Sequence, residues 1–165
     1  MSNIAIMTDS NCGIMPDEGR DLGIYVLPMP VIIDGQTYYE GIDITLDEFF
    51  KKQTEGADIT TSQPSPGDVE AMWTELLKTH DEVLFVPMSG GLSNTCQTAL
   101  MLSGEDEFAG RVFVVNNRRI SVTQAQSVLD AKLLAEEGKT ASEIKEILEA
   151  EALDASIYIA VDTLE

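Results

Sequence analysis

A run of small polar residues follows a predicted buried strand near the middle of the chain, where it could bind an anion. Val83–Met88 is apolar with β-branched members and ends at a Ser-Gly-Gly turn, after which Ser93 is predicted to cap a helix. Such a turn leaves free backbone N–H groups and a partial positive charge at the helix N-terminus. With the side chains of Ser93, Asn94 and Thr95 it suits a carboxylate or a phosphate, although it can also be no more than a well-capped helix.

A second polar stretch carries two hydroxyls for which the predicted elements give no structural use. Pro64 and Pro66 favour an extended backbone just after Thr61 and Ser62. The helix that follows is capped by Ser65, so Thr61 and Ser62 are not needed for that cap. These two hydroxyls are therefore candidates for contact with a ligand, the alternative being that the whole stretch is only a loop and a helix cap.

Both stretches lie where a strand pattern gives way to a helix pattern. Apolar runs that read as strands alternate with helices of about three turns, which predicts a three-layer α/β/α fold with a mainly parallel sheet. Asp34-Gly35 between β-formers predicts a small β-hairpin at the sheet edge. The predicted strands are 4–7, 24–27, 83–88, 111–115 and 156–161, and the predicted helices are 16–22, 46–53, 121–137 and 140–153, with one more beginning at Pro66. Ligands of such sheets bind at the carboxyl ends of the strands.

The composition narrows the classes of function. The chain has 165 residues and a net charge of −19, so nucleic acid and anionic membranes are poor partners. No run is long enough to insert into a membrane and no signal peptide is recognisable, which predicts a cytoplasmic protein. Cys12 and Cys96 are too few for a disulfide framework or a metal cluster. Phe49 and Phe50 of the predicted helix 46–53 are expected to pack into the protein core.

The only histidine bears on catalysis. His80 lies in a predicted helix exit, remote in sequence from the polar stretches, so Ser93 has no evident general base. The sequence leaves three hypotheses about function. The protein is a binding protein, a phosphoryl- or acyl-transfer enzyme that binds an anion in the Ser/Gly loop, or a scaffold domain without a ligand. The Ser/Gly loop lacks the lysine that phosphate-binding loops place after their glycines, which makes the enzyme hypothesis less well supported.

Four motifs in order along the chain resemble those of the DegV family of lipid-binding proteins. They are Thr8-Asp9-Ser10, Thr61-Ser62-Gln63-Pro64-Ser65, Leu92-Ser93-Asn94-Thr95 and Val161-Asp162-Thr163-Leu164-Glu165. The second and third together are the more specific. Asn94 and Asn116-Asn117 depart from the family pattern of glycine and Asp-Ser.

The resemblance implies a carrier of one long-chain fatty acid rather than an enzyme. Thr61 and Ser93 would hydrogen-bond the carboxylate, and five further residues would line the head-group site: Ser62, Asn94, Thr95, Ser121 and Ser10. The fatty acid is the ligand, and no cofactor or metal is implied. In some bacteria such proteins present the acid to a separate fatty acid kinase, which is the partner expected here.

The resemblance also predicts that residues 1–165 form the N-terminal, head-group-binding domain. The family continues into a second domain that this sequence does not include, so either the chain is a fragment or half of the pocket must come from elsewhere. Burying about fourteen methylenes gives roughly 11 kcal/mol gross, whereas each hydrogen bond to a charged group gives about 1.5–3 kcal/mol. Because association costs about 4–15 kcal/mol, this chain alone is expected to bind fatty acid weakly or not at all.

Overall fold

Seven strands and six α-helices make up the described part of the chain, which in this computed structural model comprises residues 3–14, 16–39, 42–61, 65–87, 95–116 and 121–151. The strands are β1 (Ile4–Asp9), β2 (Tyr25–Leu27), β3 (Pro30–Ile33), β4 (Gln36–Tyr39), β5 (Ile59–Thr61), β6 (Glu82–Val86) and β7 (Val112–Val114). The helices are α1 (Pro16–Leu22), α2 (Leu46–Thr54), α3 (Pro66–Leu77), α4 (Thr95–Leu102), α5 (Ser121–Glu136) and α6 (Ala141–Glu151), with a 3-10 helix at Ser10–Cys12.

The main sheet is parallel, with the strand order β2-β1-β6-β7. Its faces are covered by different sets of side chains, as strand periodicity requires. Along β6, Val83 and Phe85 pack into one cluster with Trp73 of α3, whereas Leu84 and Val86 pack into the other, with residues of α5 and α6. This arrangement confirms the predicted three-layer α/β/α fold.

The predicted hairpin belongs to a second sheet. Asp34 and Gly35 both have positive φ, at 49° and 84°, as a two-residue hairpin turn of type I′ requires. The hairpin β3-β4 pairs with β5 in an antiparallel sheet of order β4-β3-β5, rather than with the edge of the parallel sheet. Thr61, the last residue of β5, is thereby placed opposite Val31.

Helix starts follow the capping signals in the sequence. The hydroxyl of Ser65 accepts from Asp68 N at 3.1 Å. Thr140 and Glu143 exchange two side-chain-to-backbone hydrogen bonds of 3.2 Å, a reciprocal capping box. These contacts confirm the predicted beginnings of α3 and α6.

The expectation for the two adjacent phenylalanines of α2 is wrong for one of them. Phe49 packs against the second sheet, but the side chain of Phe50 is 55% exposed. Successive residues of a helix point about 100° apart, so a helix on a small sheet directs only one of two neighbours inward.

The last predicted strand, 156–161, lies outside the described residues. Within the described ranges, no helix combines the length and the apolarity that crossing a membrane requires.

Candidate functional site

Four of the seven residues predicted for the site lie in described elements. Ser10 directly follows β1, Thr61 ends β5, Thr95 begins α4 and Ser121 begins α5. The other three, Ser62, Ser93 and Asn94, lie outside the described residues. Because β1, β6 and β7 are parallel, the segments leading to α4 and α5 leave from the same edge of the sheet as Ser10. This edge, at the carboxyl ends of the strands, is where ligands of such sheets bind.

Ser10 connects this edge to the second sheet. Its hydroxyl is buried, at 2% exposure, and accepts from Met29 N at 2.9 Å. Two residues after Met29, Val31 pairs with Thr61. Strand spacings then place the backbone of Thr61 on the order of 10 Å from Met29. The Ser10 hydroxyl therefore has a structural use, which the sequence did not indicate.

A buried polar cluster lies beneath the same edge. Thr8 and Asp9 at the end of β1 and Gln124 in α5 are each 0% exposed. Gln124 Nε2 donates to Asp9 Oδ1 at 2.9 Å and to Thr8 Oγ1 at 3.1 Å, and lies 3.4 Å from Val86 O. Thr8 Oγ1 donates its own hydrogen to Val86 O at 2.7 Å. The side-chain amide thus joins the ends of β1 and β6 to the first turns of α5.

The buried position of Gln124 was not predicted from the sequence, although the spacing of residues in α5 indicates it. Gln124, Ser127, Val128 and Ala131 follow the i, i+3, i+4, i+7 spacing of one helix face, and all four are buried. A glutamine on an otherwise buried face needs hydrogen-bond partners inside the protein. Its partners are 116 and 115 residues away at Thr8 and Asp9, so no local pattern could have named them.

Asn116 adds a second amide at this edge. It follows β7, and its buried Oδ1 has no hydrogen-bond partner in the part of the chain that the structure describes. The two ends of an amide are interchangeable at low cost, so Asn116 can present either a donor or an acceptor. A buried amide atom without a partner is costly unless a ligand or water binds it.

The single histidine lies at the opposite edge of the sheet. His80 precedes β6, and its ring contacts Tyr25 at the start of β2, with the ring centroids 5.4 Å apart. Its Nδ1 is 2.9 Å from Thr79 Oγ1 and 3.1 Å from Leu76 O. The strand β6 lies between His80 and the carboxyl end from which the chain continues toward Thr95.

The cysteines are buried, as expected for small apolar residues. Burial raises the pKa of the Cys12 thiol, and hydrogen bonds from the backbone near Ile14 offset this only in part. Burial also raises the pKa of Cys96, against a smaller opposing effect of Lys145. Both thiols are therefore poor nucleophiles. Among the residues outside the gaps, no group of three or more His, Cys, Asp or Glu side chains could hold a metal ion.

Two open cavities are lined by described residues, and neither includes a residue predicted for the site. One, of about 390 Å³, lies between α1, β2 and Met72 of α3. The other, of about 320 Å³, lies between α3 and the segment before β7, with Lys78 and Arg111 at its rim. Neither is at the carboxyl edge of the parallel sheet.

The fold and this edge define a class of protein: α/β domains with a parallel sheet, a small antiparallel sheet beside it, and polar residues at the carboxyl ends of the strands. The model of the DegV family, described as uncharacterised proteins, matches residues 3–165. The chain belongs to the DegV family, which confirms the resemblance of its motifs.

Relatives and solved structures agree with this assignment. A DegV domain-containing protein of Caldanaerobacter subterraneus is 35% identical over 144 residues, covering 87% of this chain and 51% of the relative. One from Deinococcus radiodurans is 33% identical over 164 residues, covering 99% of this chain and 58% of the relative. The chain thus spans about half the length of the curated relatives it matches.

Two of the similar structures are named for the ligand they bind. A DegV family protein from Thermus thermophilus, described by its fatty acid binding, shares 38% identity at a TM-score of 0.79, over 92% of this chain and 54% of that one. DegV from Bacillus subtilis, named a fatty acid binding protein, shares 28% identity at a TM-score of 0.79, over 93% of this chain and 55% of that one.

Proposed function

We propose that this domain binds the carboxylate of a long-chain fatty acid, as part of a carrier that can present the acid to a separate fatty acid kinase. The hydroxyls of Thr61 and Ser93 hold the carboxylate in this proposal. Ser62, Asn94, Thr95, Ser121 and Ser10 line the head-group site. In this proposal the acyl chain extends from the head-group site toward a second half of the pocket that these 165 residues do not supply.

One observation carries the proposal: a family member at 38% identity and a TM-score of 0.79 is described by its fatty acid binding. The topology supports it: Thr61 pairs with Val31, two residues after Met29, whose N–H donates to Ser10 Oγ. The helices that begin at Thr95 and Ser121 follow the strands β6 and β7 in the chain. Uncharged hydroxyl and amide donors can bind a carboxylate without a positively charged partner.

The transferase alternative is less well supported. A serine nucleophile needs an imidazole or an equivalent base within hydrogen-bond reach. His80 lies at the amino end of β6, whereas Ser93 follows the carboxyl end of this strand. The length of β6 alone separates the two ends by roughly 13 Å. We therefore propose that the domain is a binding protein and not an enzyme. The proposal also keeps the cytoplasmic location that the sequence predicts.

A titration of the ¹⁵N-labelled chain with decanoate tests the proposal. One domain covers only part of the acyl chain but carries both hydroxyls of the proposed site. Of the two outcomes expected for this chain alone, weak binding or none, the proposal therefore commits to weak binding, with a Kd of about 1 mM, which corresponds to about 4 kcal/mol. Decanoate should shift the amide resonances of Thr61, Thr95 and Ser121, and decanol should shift them much less. No response at these amides would overturn the carboxylate site, and submicromolar binding of palmitate would overturn the half-site interpretation.

A matched pair of variants isolates the hydroxyl. Thr61→Val should raise the Kd of decanoate about tenfold, because a hydrogen bond to a charged group is worth about 1.5–3 kcal/mol. Thr37→Val makes the same change at an exposed position of β4 and should leave the Kd unchanged. Equal effects of the two substitutions would contradict the role of Thr61.

A further inference from the structure

Gln124 joins three parts of the chain through one side-chain amide. Its Nε2 has two hydrogens, which face Asp9 Oδ1 at 2.9 Å and Thr8 Oγ1 at 3.1 Å, while Val86 O lies at 3.4 Å. All three atoms are acceptors, since Thr8 gives its single hydroxyl hydrogen to Val86 O. The geometry therefore fixes which end of the amide faces the strands.

The joined parts are those from which the proposed head-group site is built. Asp9 directly precedes Ser10, and the segment after Val86 leads to Ser93 and Thr95. Gln124 lies one turn after Ser121, the first residue of α5. A displacement of the amide would therefore move the starting points of all three segments.

The cluster also fixes the carboxyl group of Asp9, which directly precedes Ser10. A carboxyl group accepts hydrogen bonds from hydroxyls as a fatty acid carboxylate does, so a mobile Asp9 would compete for the same donors. Asp9 is 0% exposed, and its Oδ1 already accepts from Gln124. The amide thus satisfies this oxygen from the side of α5.

We propose that Gln124 is a positioning residue for carboxylate binding: it does not touch the fatty acid, but it fixes the ends of β1 and β6 from which the binding segments start. The inference rests on the proposed function. Loss of such a supporting contact typically weakens ligand binding by about tenfold or more, because the donors are no longer held in place.

The test compares two glutamines of the same helix. Gln124→Met removes the amide at similar size. Gln126→Met is the matched control, since Gln126 is exposed and its amide donates to Asp130 in the next turn of the same helix, at 2.9 Å. The Kd values of decanoate and decanol are measured by ¹⁵N NMR for the wild-type chain and both variants. Gln124→Met should raise the decanoate Kd about tenfold and the decanol Kd less than about twofold. Gln126→Met should change neither.

The outcomes separate the two proposals. Absence of decanoate binding by the wild-type chain overturns the proposed function and this inference with it. Wild-type binding that persists in Gln124→Met overturns the inference alone, as does an equal loss of acid and alcohol, which a purely structural role predicts. Dispersed amide resonances confirm folding, and if Gln124→Met does not fold, Gln124→Asn takes its place, because its shorter amide cannot span both strand ends.

Discussion

The buried cluster at the end of β1 predicts a large cost for removing one hydroxyl. Thr8→Val keeps the shape of the side chain but deletes the 2.7 Å bond to Val86 O and the acceptor of Gln124 Nε2 at 3.1 Å. A buried polar atom left without its partner costs about 1–3 kcal/mol. The added methyl recovers less than about 1 kcal/mol. We expect Thr8→Val to lower the free energy of unfolding by about 2 kcal/mol.

A matched control separates burial from the hydrogen bond itself. Thr54 Oγ1 also donates to a main-chain carbonyl, Phe50 O, at 2.8 Å, but Thr54 is exposed. Water replaces the lost bond there, so Thr54→Val should change the free energy of unfolding by less than about 0.5 kcal/mol. The two substitutions thus remove donated hydrogen bonds of nearly the same length at a buried and at an exposed site, and Thr8→Val in addition removes the acceptor of Gln124 Nε2.

Urea unfolding followed by tryptophan fluorescence measures both variants. The chain has one tryptophan, and Trp73 is 0% exposed, so its emission reports on the folded core. With a urea dependence of about 1–3 kcal/mol/M, a loss of about 2 kcal/mol lowers the midpoint by about 1 M. A Thr8→Val midpoint equal to that of Thr54→Val would refute the structural importance of the cluster.

Two further predictions concern close packing and the buried thiols. Gly19→Ala should lower the free energy of unfolding by about 1–3 kcal/mol, although alanine has a better helix propensity than glycine. The reason is that the new Cβ would lie 2.6 Å from Val26 Cγ2. In Gly67→Ala the nearest described atom to the new Cβ would be Ser65 Oγ at 3.8 Å, so this substitution should be neutral or stabilising in the same urea assay. Burial raises the pKa of Cys12 and Cys96 above the ordinary 9.0, so the folded state keeps these protons to higher pH than the unfolded chain. The free energy of unfolding should therefore fall as the pH rises above 9.0, and less steeply in a Cys12→Ala/Cys96→Ala variant; equal slopes would contradict this.

Local signals in the sequence predicted the elements well. Ser65 caps the helix it was expected to cap, Thr140 caps the helix that was predicted to begin there, and Asp34-Gly35 forms the turn of a hairpin. Pro16 begins α1 as predicted. Each of these depends on residues a few positions apart, whose backbone preferences hold in any fold.

Contacts between distant segments could not be predicted in the same way. The pairing of β3 with β5, which makes the hairpin part of a second sheet, depends on where the chain returns after α2. The position of Gln124 against Thr8 and Asp9 depends on how α5 packs on the parallel sheet. The roles of Thr61 and Ser93 as carboxylate ligands remain predictions.

The carboxylate of the ligand itself provides the most direct test of the proposed site. Decanoate labelled with ¹³C at its carboxyl carbon is added to the wild-type chain and to a Thr61→Val/Ser93→Ala variant, and the ¹³C resonance is recorded in each. We expect the wild-type chain to shift and broaden this resonance and the double variant to leave it as in buffer. An equal shift with both proteins would contradict the central claim that these two hydroxyls hold the acid.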